Sequence, residues 1–145
     1  MQHIVKISTP WVVKCLDGQN VIEVRCALPD AANLVLALCM LREELVCSLA
    51  ILDPKGQKLE VELDRMPHAQ ATMTQSGEMV LCGLPQMSIE MVIGFYLIYH
   101  RDGLADVSHV DLETTTGDYL TFVAADVKPP MSAKDFEEHW RQANE

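Results

Sequence analysis

The chain has 145 residues, of which 49% are hydrophobic and 22% charged, enough apolar content for a sizeable core and too much for a disordered chain. Its 21 acidic and 11 basic side chains leave a net charge of −10. Such a surface repels phosphate backbones and anionic lipid heads, which argues against nucleic acid and membranes as direct partners and leaves a basic protein or a cation open, with another protein the expected partner.

The chain opens on "HIVKIS" and "WVVKCL", two short β-type runs separated by Thr9-Pro10, with Asp17-Gly18 as a turn. "NVIEVRCAL" reads as a strand stopped at Pro29-Asp30. In "AANLVLALCMLREEL", Leu34, Leu38, Leu41 and Leu45 fall at helical spacing, which favours a helix over 30–45. Glu43 and Glu44 sit badly with the C-terminal end of such a helix. A strand there would make the whole domain a β-sandwich.

"LVCSLAILDPKGQKLEVELD" is the clearest unit. Pro54-Lys55-Gly56 suits a three-residue hairpin loop, with Pro54 pre-setting a type I turn and Gly56 taking the left-handed position. That loop pairs Asp53 with Gln57, Ile51 with Leu59, Leu49 with Val61 and Cys47 with Leu63, which gives one wholly apolar face. The other face sets Val46, Ser48, Ala50 and Leu52 beside Lys58, Glu60, Glu62 and Asp64. That face needs a cover, from a helix or from another subunit.

Residues 65–77 read as loop with at most a short strand, and no internal repeat is visible. "EMVLCGL" and "SIEMVIGFYLIYH" read as apolar strands, the second on its β-branched and aromatic content. Arg101-Asp102-Gly103 is a turn. "VSHVDLE" and "YLTFVAA" form a hairpin across "TTTGD", with Val110 and Leu112 inward and His109, Asp111 and Glu113 outward. After "KPP", Ser132 and Asp135 resemble a capping box, and Ala133, Phe136, Trp140 and Ala143 make the apolar stripe of a C-terminal helix over 131–144. The expectation is one α+β domain, 1–145. Its β-rich core, 1–127, is a mainly antiparallel sheet of about 7–9 strands, and the amphipathic helix follows; an all-β sandwich plus that helix is the alternative.

Chemical signatures are sparse. The five cysteines show no C-x-x-C spacing, and each sits among apolar neighbours, which points to a reducing compartment. With no long apolar leader and no run near ~20 residues, a cytoplasmic location is expected. The phosphate-loop, dinucleotide, serine-hydrolase and H-E-x-x-H patterns are absent, so no cofactor is expected. His109 and Asp111 share a strand face and could begin a metal site, joined through folding by His100 with Asp102 or Asp106. A Cys82–His100 pair is a weaker thought. "GLADVSHVDLETTTGDYLTF" resembles part of the nucleotide-binding pattern of PilZ domains in Asp106 and Ser108. Asp111 stands where its glycine belongs and the upstream arginine pair is missing, so nothing carries over from that resemblance.

Two readings of function follow. One is a non-catalytic acidic interaction domain, an immunity- or antitoxin-like inhibitor, secretion chaperone or adaptor, presenting Glu60, Glu62, Asp64, Asp111 and Glu113, with homo-oligomerisation open to it. The other is a small-molecule-binding domain or enzyme with a pocket near Phe95, Tyr96 and Tyr99 on a curved sheet.

Overall fold

The computed structural model describes residues 2–66, 70–103 and 109–125, together with Glu138, Arg141 and Gln142. Nine strands and two helices lie among them: β1 (Gln2–Lys6), β2 (Val12–Leu16), β3 (Gln19–Cys26), α1 (Leu28–Arg42), β4 (Ser48–Leu52), β5 (Lys58–Asp64), β6 (Thr72–Ser76), β7 (Met79–Pro85), α2 (Gln86–Asp102), β8 (His109–Glu113) and β9 (Tyr119–Ala124). The class is α+β. The C-terminal helix expected over 131–144 lies outside the described residues except at Glu138, Arg141 and Gln142, where the backbone is helical.

The strands form two sheets, one ordered β1-β4-β5-β7-β6 (sheet A) and the other β2-β3-β9-β8 (sheet B). Both are mixed, not mainly antiparallel: β1 with β4, β3 with β9 and β5 with β7 run parallel, while every hairpin partner is antiparallel. The parallel pairs all join strands distant in sequence, which is why local turn chemistry could not reveal them.

The element order conceals a duplication. After β1, the chain runs hairpin, helix, hairpin (β2-β3-α1-β4-β5) and then repeats that order (β6-β7-α2-β8-β9). Each half gives one hairpin to each sheet, and the halves join through two equivalent parallel contacts, β3 with β9 and β5 with β7. The helices pack on each other, α1 against β1, β4 and β5, and α2 against β7, β8 and β9.

The hairpin at 48–64 keeps the expected register, with Ile51 opposite Leu59 and Leu49 opposite Val61, and Gly56 takes φ +81°. Asp53 organises its loop: Oδ1 accepts from Lys55 N at 3.0 Å and Gln57 N at 2.8 Å, while Oδ2 accepts from Trp11 N at 3.2 Å. One buried carboxylate thereby ties the hairpin to the β1–β2 connection.

Residues 86–102 are a helix, not the strand their composition suggests. Ile89, Val92, Ile93, Phe95, Tyr96 and Tyr99 are its buried positions, recurring at three- and four-residue steps. Gly103 closes it in the left-handed conformation, its N–H donating to Tyr99 O. The Tyr96 hydroxyl donates to Val123 O of sheet B at 3.0 Å. With two helices present, the all-β sandwich is ruled out. α1 ends at Arg42, so Glu43 and Glu44 fall beyond its last turn, where Glu44 turns the chain with φ 58°.

Candidate functional site

The expected acidic residues divide between two sheets. Glu60, Glu62 and Asp64 alternate with the buried Leu59 and Val61 along β5, on the outer face of sheet A. Asp111 and Glu113 lie on β8, on the outer face of sheet B. They do not form one acidic field.

On sheet A the strand register sets a row Ile4–Ala50–Glu60–Leu81–Thr74 across all five strands. Ile4 is 57% exposed and Leu81 40% exposed, whereas the intervening Ala50 is buried. The next row toward one end is Lys6–Leu52–Lys58–Met79–Ser76, with Lys58 Nζ 3.8 Å from Glu60 Oε2. Toward the other end come Glu62, beside Gly83, and Asp64, beside Pro85. The face is therefore graded: basic at one end, mixed in the middle, where Glu60 lies between Ala50 and Leu81, and acidic at the other. Among the described residues the side chains of both helices join the core on the opposite face, with Val5, Leu49, Ile51, Leu59, Val61, Val80, Cys82 and Leu84. Beside Ala50 in the sheet lies β1, whose Gln2 Nε2 donates to Ser48 Oγ at 3.2 Å.

Sheet B presents a different surface. Glu23 is enclosed by Lys14 Nζ at 3.0 Å and Arg25 Nε at 2.6 Å. Beside it Asp111 Oδ1 accepts from Thr121 Oγ1 at 2.7 Å, and Asp111 Oδ2 lies 3.1 Å from His109 Nε2. These carboxylates are occupied by neighbours within the sheet, so Asp111 is a structural partner of β9 more than a free acidic contact.

The other candidates disperse. Among the described residues no group of three or more His, Cys, Asp or Glu is placed to hold a metal ion; Asp106 falls outside them. Cys82 faces the core, where burial pushes its thiol up to about 12, so it is no thiolate nucleophile at neutral pH, while His100 is exposed on the last turn of α2. Phe95, Tyr96 and Tyr99 fill the core. Among the described residues a half-open groove of about 610 Å³ lies elsewhere, between Arg42 at the end of α1, Asp64 at the end of β5 with Arg65 after it, and the first turn of α2. No described helix is long and apolar enough to cross a membrane.

Sequence reasoning missed the open hydrophobes. Met79 and Leu81 alternate with Val80 and Cys82, so β7 is apolar on both faces, a signal that neither face is simply wetted. No protein-family model matches the chain, and no curated protein matches it.

Proposed function

We propose that this chain is a non-catalytic protein-interaction domain that docks a partner on the outer face of sheet A. The observation that carries this reading is the row Ile4–Ala50–Glu60–Leu81, in which two large aliphatic side chains stay open on a sheet face with Glu60 between them and Glu62 and Asp64 toward one end. Isolated exposed hydrophobes are ordinary, but open aliphatic side chains set among and bordered by charges on one sheet face suit an interface. The complementary partner is a protein with an apolar contact bordered by basic residues. The acidic end steers it and the open aliphatic side chains hold it.

The test is capture from the native host by the intact chain at several salt concentrations. Lysines in place of Glu60, Glu62 and Asp64 are expected to weaken capture at least about tenfold at low salt, with less difference at high salt. Leu81→Ser is expected to weaken it at every salt concentration. If both variants retain every partner as well as the parent chain does, the reading fails.

A second reading, a small-molecule-binding domain, is favoured only by the groove near Arg42 and Arg65. Both arginines are already paired there, with Glu43 and Glu44. A thermal-shift panel of metals and metabolites tests it, since a ligand held at 100 times its Kd adds about 2.7 kcal/mol to stability.

A further inference from the structure

The edge strand β2 of sheet B is apolar on both faces, the pattern of a strand with neighbours on either side. Val12 is 38% exposed and Val13 43%. Val12 pairs with Glu23 on the outer face, and Val13 pairs with Ile22, which is buried in the core. Trp11, Val13 and Cys15 share the core face by alternation. Trp11 is buried there, whereas Val13 and Cys15 are open. The cover on the core side of sheet B runs out at β2 before the apolar residues do.

The backbone of the same residues faces the open edge. Leu16 pairs with Gln19 across Asp17 and Gly18, whose φ values of 51° and 80° are those a two-residue type I′ turn requires. The pair flanking such a turn exchanges both hydrogen bonds, and the alternation of an antiparallel ladder gives Lys14–Val21 and Val12–Glu23 the same role. The N–H and C=O groups of Val13 and Cys15 therefore point away from β3. Two side-chain bonds fix this parity independently. Trp11 N–H, in phase with Val13, donates away from β3 to Asp53 Oδ2 at 3.2 Å. Asn20, across from Cys15, turns its N–H the other way, to Asp118 Oδ1 at 3.0 Å. The 48–64 hairpin thus takes the first place along the edge, and among the described residues no strand pairs with the next two.

We infer that β2 accepts an extended segment of another protein as a fifth strand of sheet B. The main chain of that segment bonds to Val13 and Cys15, which only an extended backbone can do at both places. An aliphatic side chain opposite Val13 continues the core face, and the residue next to it covers Val12 on the outer face. Charge narrows the partner further. Lys14, the charged residue of β2, is already held by Glu23 at 3.0 Å, and Asp17 stands exposed at the turn. The fitting segment is uncharged along the ladder and carries a basic residue at the Asp17 end. A second copy of this chain, itself at −10, is repelled.

Amide exchange followed by NMR on the full chain tests the inference, with synthetic peptides as the probe: valine alternating with threonine, and a lysine at one end or the other. In the chain alone, the Val13 and Cys15 amides are expected to exchange at least about tenfold faster than those of Lys14 and Leu16. Peptide at about 1 mM is expected to slow both at least about tenfold, and the same peptides N-methylated at alternate residues to leave them unchanged. Val13→Pro removes an N–H that β3 does not use, so it is expected to keep the melting transition and lose the peptide. Val13→Lys, at a side chain already open to water, is expected to do the same. Val13 and Cys15 amides protected in the chain alone would overturn the inference, the chain covering its own edge if protection is constant and a second copy covering it if protection rises with concentration. Peptides that slow neither amide, or that slow Cys15 equally in both variants, would overturn it as well. Partner capture through sheet A is a separate measurement, so either proposal can fail without the other.

Discussion

Glu23 shows how single residues keep sheet B's charged face ordered. Burial raises its carboxyl, but hydrogen bonds and charges from Lys14 and Arg25 outweigh burial and hold it below the ordinary 4.5. The unfolded chain therefore binds a proton more readily than the folded one. The stabilisation is present above pH 4.5 and is lost as pH falls through the folded value. Glu23→Gln is expected to lose about 1 kcal/mol at neutral pH, a modest figure because Lys14 and Arg25 are partly exposed. Urea unfolding at neutral pH and at successively lower pH checks it: the gap between variant and parent should narrow as pH falls below 4.5. Gly83 is tested the same way. A Cβ there would lie 2.6 Å from Thr72 Oγ1, the atom that accepts the Gly83 N–H at 3.2 Å. Gly83→Ala must displace the hydroxyl and break that bond, at an expected cost of about 1–2 kcal/mol. Adding Thr72→Ala should recover part of it.

At the scale of elements, legibility tracked locality. The register of the 48–64 hairpin followed from one turn, because Pro54 and Gly56 suit a single loop geometry and the alternation of Leu59, Val61 and Leu63 leaves one core face. The β8–β9 hairpin followed in the same way. α2 misled for a specific reason: Met87, Met91, Leu97 and Ile98 are apolar on its outward side, so the helical period of Ile89, Val92, Tyr96 and Tyr99 was submerged in a uniformly apolar run. Its length was the better clue, since a run of thirteen residues exceeds an ordinary strand. The acidic residues were assigned correctly to outward faces, but no single sequence says that β5 and β8 belong to different sheets. Because Tyr96 anchors α2 to sheet B, Tyr96→Phe is expected to cost about 1 kcal/mol in chemical denaturation, with little change in helix content.

For the whole molecule, the duplicated order of hairpin, helix, hairpin means that neither half owns a sheet. Residues 2–66 hold β2-β3 of one sheet and β1-β4-β5 of the other, and both parallel joins need strands from 70–125. Each half alone is expected to lack cooperative structure by circular dichroism, and the intact chain to unfold in one transition. Among the described residues the outer face of sheet A carries the exposed Ile4 and Leu81, with charges graded across it. The most direct test of its role is photo-crosslinking in host extract, with the probe placed in turn at Leu81 on sheet A and at Val123 on sheet B. Docking on sheet A predicts a discrete product from position 81 that diminishes with salt and disappears when Glu60, Glu62 and Asp64 are reversed to lysine, with no such product from position 123. Products from position 123 alone, or from both positions equally, would contradict it.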